Sequence, residues 1–149
     1  MPSYVDSSAL LRLVEFRGDR SLVERAMQDA PFSSTLTQLE CWSTLHKRCH
    51  DRELTEATRD ERLQRTDALL GTMDLVPLEE DVINGARELA RRHPLRTLDG
   101  LHLATAVVAA RLLEPRGMGV RFCTADRRQA AAAAVEFGTT QVDLVPPWR

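Results

Sequence analysis

Residues 4–11 read Tyr-Val-Asp-Ser-Ser-Ala-Leu-Leu. Tyr4 and Val5 form a short apolar run that Asp6-Ser7-Ser8 stops. Ala9, Leu10, Leu13, Val14 and Phe16 then recur at helical spacing up to Gly18. The stretch is a strand, a turn and a helix, with an acid at the strand's carboxyl end, and the same order repeats downstream. Asp19 is placed to cap a helix carrying Leu22, Val23, Ala26 and Met27, and Phe32-Ser33 follow Pro31 as a second short strand. Thr35-Leu36-Thr37-Gln38 has the form of a capping box, opening a helix to about His50 with Leu39, Trp42, Leu45 and Cys49 on its apolar side. Thr55 to Leu70 mixes charges, with Glu61 four residues before Arg65, as on a solvated helix supported by side-chain pairs and carrying no active site. Met73 to Leu78 is a third strand, and Glu79-Glu80-Asp81 fill the first turn of a helix carrying Val82, Ile83, Ala86, Leu89 and Ala90. Leu101, Ala104, Val107, Val108 and Leu112 predict a largely buried helix. Val120 to Cys123 is a fourth strand, Asp126 begins an Ala-rich helix, and Val142 to Val145 is the last strand. Strands separated by helices predict an α/β fold with a mostly parallel sheet, because parallel neighbours need crossovers of about a dozen residues or more.

The length, 149 residues, points to a single domain over 1–149. With 43% hydrophobic and 28% charged residues the chain is too apolar for disorder and too charged for a membrane protein. The net charge of −2 excludes a protein that coats nucleic acid by overall charge, so any such site is local. The basic residues are Arg except for Lys47. Cys41, Cys49 and Cys123 are odd in number and outside any C-x-x-C pattern, and read as small buried hydrophobes. The start MPSYVDSS lacks a basic-then-apolar signal segment, so a reducing cytoplasm is the expected setting, with no membrane insertion.

In open α/β sheets ligands bind at the carboxyl ends of the strands. There the reading places Asp6 after the first strand and Asp126 after the fourth, with Asp99 opening the buried helix and Glu40 near the start of the helix after the second strand. Each acid has an ordinary role open to it: turn or cap for Asp6, helix cap for Asp99 and Asp126, solvated helix residue for Glu40. Together they repel one another, and a fold that gathers them calls for a cation, for which hard carboxylate oxygens suit Mg²⁺ or Mn²⁺.

These residues lie in four blocks: Tyr-Val-Asp-Ser-Ser-Ala-Leu-Leu at 4–11, Leu-Thr-Gln-Leu-Glu at 36–40, Leu-Arg-Thr-Leu-Asp-Gly-Leu-His-Leu-Ala-Thr-Ala at 95–106 and Cys-Thr-Ala-Asp-Arg-Arg at 123–128. In this order the chain resembles the PIN-domain ribonucleases of the VapC toxin type, over nearly its whole length. The match departs little from the family pattern: Gly100 stands where Ala is commoner, and Ser7 where Thr is commoner. The resemblance implies a PIN-like three-layer sandwich. It also implies hydrolysis of RNA phosphodiester bonds with one or two Mg²⁺ ions, or Mn²⁺, held by Asp6, Glu40, Asp99 and Asp126. Thr124 matches the hydroxyl position that orients a carboxylate or water. Two divalent ions would take the chain from −2 to +2, making the metal a condition for RNA binding as well as for chemistry. Arg12, Arg96, Arg127 and Arg128, near the acids in sequence, are candidates for phosphate contacts.

His102 stands one helical turn after Asp99 and is expected to be a buried, hydrogen-bonded residue rather than a ligand. Trp42 is assigned to the core or a subunit interface. The resemblance further implies a homodimer and a VapB-type antitoxin whose tail covers the acidic cleft, with Asp19 to His50 as its expected surface. The alternatives are a catalytically inactive scaffold of the same fold and a housekeeping RNA- or DNA-processing nuclease without an antitoxin. A phosphate-accepting signalling domain would need a Lys at a later strand end, and Lys47 falls within a helix.

Overall fold

Along β1 (Ser3–Val5) and β4 (Arg121–Thr124) side chains alternate between two faces, and both faces are apolar. Tyr4 and Phe122 point to one face and Val5 and Cys123 to the other, all fully buried. Such strands need a helical layer on each side. The computed structural model describes residues 1–148. It supplies both layers.

Between these strands the chain forms α1 (Ser7–Val14), α2 (Ser21–Gln28), β2 (Pro31–Ser34), α3 (Thr35–His50), α4 (Glu56–Leu70), β3 (Asp74–Val76), α5 (Glu80–Arg92) and α6 (Thr97–Leu113). After β4 come α7 (Arg127–Phe137) and β5 (Val142–Leu144). The five strands run in the order β3-β2-β1-β4-β5, and every pairing is parallel. The sheet is therefore wholly rather than mostly parallel, within the expected three-layer sandwich.

On one face Tyr4, Phe32 and Phe122 meet α5, α6 and α7 through Val82, Leu89, Leu103, Val107 and Ala133. Tyr4 stacks on Phe122 with ring centroids 5.2 Å apart, and Phe32 meets it edge-on at 5.3 Å. On the other face Val5 and Cys123 pack with Leu10, Val23, Cys41 and Leu70, one from each of α1 to α4. Ala130, Ala132 and Ala133 are buried, so the Ala-rich stretch is a packing face. Burial pushes the Cys41 thiol up to about 12 and the Cys123 thiol higher still, so both act as small apolar groups; Cys49 is only half-buried, beside Arg59.

Several local expectations change. α1 stops at Val14 rather than running to Gly18, because Phe16 turns out in a left-handed conformation (φ 51) and is 61% exposed. Glu15 is buried in its place, drawn in by Arg48 of α3 and Arg62 of α4. α4 is thus more than a solvated surface, although its Glu61–Arg65 pair does form, at 3.5 Å. Ser34, not Thr35, caps α3: extended at the end of β2, it accepts a hydrogen bond from Leu36 N, and Thr35 is already helical. Leu39 and Leu112 are exposed, and Trp42 is partly exposed with its indole N–H on Asp67, outside the core.

Since β2 and β3 lie on one side of β1 and β4 and β5 on the other, the strand order reverses between β1 and β4. Their carboxyl ends flank the crevice where α/β sheets bind ligands.

Candidate functional site

Asp6 directly follows β1 at this reversal. It is 1% exposed and caps α1, with Oδ1 accepting from Ala9 N at 2.9 Å and from Ser8 Oγ at 2.7 Å. Thr124, at the end of β4, donates to Asp6 Oδ2 at 2.5 Å. Ser8 Oγ accepts from Ala125 N at 2.9 Å and Thr124 Oγ1 from Asp126 N at 3.0 Å, so the two strand ends are laced together around one carboxylate. Asp126 caps α7, its Oδ1 accepting from Arg128 N and Gln129 N. Its other oxygen faces Arg96 at 3.5 Å. Cap and candidate ligand coexist in both residues, because a carboxylate has lone pairs to spare.

Asp99 is not a cap. It is the third residue of α6, and its carboxylate accepts from Arg96 Nε at 3.0 Å while Gln129 Nε2 holds its backbone carbonyl at 3.2 Å. Glu40, on α3, accepts from His102 Nε2. His102 is 1% exposed, and its Nδ1 meets the Tyr4 hydroxyl at 2.5 Å. The expectation of a hydrogen-bonded His is met, with a further consequence: His102 sets where Glu40 stands.

The charges overlap. Arg96 bridges Asp99 and Asp126, Thr124 joins the Asp6 carboxylate to the backbone N–H of Asp126, and His102, one turn after Asp99 on α6, holds Glu40, so contacts link the four acids in one neighbourhood. Burial raises the pKa of Asp6, against the His102 charge and the bonds from Thr124, Ala9 and Ser8. Burial alone would lower the pKa of His102; the hydrogen bond and charge of Glu40 outweigh it and leave the imidazole above its ordinary value. The stabilisation from this pairing is then complete below about pH 6.5, the ordinary value for His. It is lost as pH rises through the higher folded value. Urea unfolding across this range should show wild-type stability falling with pH. His102→Gln, less stable overall, should lose that part of the slope; an unchanged slope would remove His102 as its source.

All donors at the site are oxygens, four carboxylates with the Thr124 and Ser8 hydroxyls behind Asp6, a set suited to a hard divalent cation. That a guanidinium already lies between Asp99 and Asp126 shows that a positive charge fits between them. Among the described residues no three His, Cys, Asp or Glu side chains surround a single ion position; Arg96 spans part of that space. Of the other candidate arginines, Arg12 donates to Pro146 O at 3.0 Å, Arg127 lines a cavity beside Asp6, and Arg128 is exposed on α7. Sequence reasoning missed Ser8 and Gln129. Ser8, two residues after Asp6, carried a local signal as a hydroxyl in a cap turn, whereas Gln129 carried none.

The chain matches the family model of the PIN domain over residues 3–135. No curated protein matches it. Among solved structures its fold is similar to a chain of a toxin-antitoxin complex from Klebsiella pneumoniae, with a TM-score of 0.62 and 19% identity over 99% of this chain and 98% of that one. A protein from Pyrobaculum aerophilum solved by crystallography is similar at a TM-score of 0.61 and 19% identity, over 97% of this chain and 84% of that one. At such identities the structural likeness concerns the fold alone, and it is the family model, spanning both strand ends and all four acids, that assigns the chain. The chain belongs to the PIN domain family.

Proposed function

We propose that this protein is a metal-dependent endoribonuclease of the VapC type, the toxin of a toxin-antitoxin pair. The observation that carries the reading is the linking of Asp6, Glu40, Asp99 and Asp126 through Thr124, His102 and Arg96 at the reversal between β1 and β4, in a family of nucleases. Asp6, Asp99 and Asp126 would hold one or two Mg²⁺ or Mn²⁺ ions. The ion, when bound, supplies Lewis acidity and a water made acidic at neutral pH. Thr124 and Ser8 hold the Asp6 carboxylate at the crevice, and His102 fixes Glu40, which orients the attacking water. Arg96, 75% exposed and tethered only through its guanidinium, is free to exchange its carboxylates for a substrate phosphate.

The antitoxin half rests on two supports. The Klebsiella pneumoniae structure of similar fold is a toxin-antitoxin complex, and Leu39 (63% exposed) and Trp42 (38%) leave an apolar surface on α3, within the segment expected to meet an antitoxin. A homodimer and a cytoplasmic setting belong to the same proposal; no helix of the described residues is long and apolar enough to cross a membrane.

The test is cleavage of a mixed RNA pool by purified protein with Mg²⁺ or Mn²⁺ against EDTA, beside Asp99→Asn. Cutting that needs the metal and disappears in the variant supports the reading. Absence of cutting together with absence of calorimetric metal binding marks an inactive scaffold. Cutting that no co-expressed neighbouring gene product inhibits marks a nuclease without an antitoxin.

A further inference from the structure

Ser8 and Ala125, in the turns that hold Asp6 and Thr124, form one end of a cavity of about 630 Å³. Arg12, Arg17, Arg48 and Arg127 line it with a single carboxylate, Glu15, and Trp148. The volume is within the range of about 300–1,000 Å³ for small-molecule sites. Its charge is opposite to that of the neighbouring acids. Glu15 offsets only part of it, since its one carboxylate, 2% exposed, is shared among three guanidiniums, those of Arg48, of Arg17 at 3.7 Å and of Arg62 at 3.2 Å.

Trp148 is 51% exposed and carries the Arg17 guanidinium 4.3 Å from its ring centroid. Arg12 and Gly18 bring the C-terminal segment there. Arg12 holds Pro146 O, and Gly18, at φ +64, passes so close that a Cβ would lie 3.3 Å from Trp148 Cδ1 and 3.4 Å from Arg12 Nη1. A positively charged concavity with a flat aromatic and guanidinium surface is the combination that binds single-stranded nucleic acid, phosphates on the cations and bases on the planes. A strand approaching four carboxylates also needs positive charge beside them to hold it.

We propose that this cavity is a separate subsite for single-stranded RNA flanking the cleaved bond, with backbone phosphates on Arg12, Arg17 and Arg127 and the adjacent base on the Trp148–Arg17 stack. The inference rests on the nuclease reading of the neighbouring acids. It adds Arg17, Arg48 and Trp148 to the residues that select and hold substrate, Arg48 by keeping Glu15 occupied.

The experiment is fluorescence anisotropy with a short fluorescein-labelled RNA, with Ca²⁺ in place of Mg²⁺ so that the carboxylates are neutralised by an oxygen-binding ion, titrated at several salt concentrations. The double variant Arg17→Ala/Arg127→Ala should bind about tenfold more weakly, its slope of log K against log salt smaller by about 0.7 for each phosphate that the protein no longer neutralises. Trp148→Ala should weaken binding about tenfold with the slope unchanged. Arg91→Ala, on α5 and 77% exposed, should bind as wild type; a loss equal to the double variant's would reduce the effect to net charge and overturn the subsite. Wild-type affinity and slope in the double variant and in Trp148→Ala, with metal-dependent cutting intact, would overturn the subsite and leave the nuclease. A wild-type protein that neither binds nor cuts RNA overturns both.

Discussion

Asp6→Asn should abolish RNA cleavage, by at least about 10²–10³-fold, while leaving thermal stability equal to or above wild type. The loss follows from removing a charge at the centre of the site, where preorganised electrostatics carries effects of this size. The stability half comes from burial. Asp6 is 1% exposed, and burial raises its pKa, so at neutral pH the folded state bears a desolvation cost that a neutral Asn does not. Asn keeps an oxygen for Ala9 N and Ser8 Oγ, and its amide can donate to Thr124 once that hydroxyl rotates. Cleavage assays and thermal melts on one preparation separate the two effects. Cleavage at the wild-type rate removes Asp6 from the site, and a large drop in melting temperature makes it chiefly structural.

Glu15→Gln should have the opposite profile, costing about 2–3 kcal/mol of stability. Complete loss of a buried partner typically costs about 3–5 kcal/mol. The guanidiniums here are 21–29% exposed, and solvent screening reduces the figure. Without the carboxylate, Arg17, Arg48 and Arg62 are left facing one another where α1, α3 and α4 meet. For a chain of this size the melting point should fall by roughly 4–12 °C. The cavity beside Asp6 becomes more positive at the same time, so RNA affinity in Ca²⁺ should hold or rise even as stability falls. A melting point within a degree of wild type would show that Glu15 is not what holds these helices together.

Asp6 and Asp126 were legible because their signals are local. Each follows an apolar strand and each caps the helix that comes next, so a few residues on either side suffice to place it. Asp99 and Glu40 were legible only as members of the set, since nothing in their own turns marks them. Arg96 could be placed near the acids in sequence, but its position between Asp99 and Asp126 depends on α6 and α7 meeting beside β4. Phe16 and Glu15 show the limit most plainly. The apolar spacing of α1 asks for Phe16 in the core, yet Glu15 is the residue buried, because Arg48 and Arg62 arrive from 33 and 47 residues away.

From its sequence alone this chain was determined to be an α/β domain with acids at its strand ends, since hydrophobic alternation and helix capping act within one or two turns of chain. The tertiary structure alone decided that Thr124 holds Asp6 across 118 residues, that His102 holds Glu40 across 62, and that Trp148 returns to Gly18 beside an arginine-lined cavity. Burying a charge or a hydrogen-bonding group is costly without a partner, and the partners here come from segments that only the completed sheet brings together.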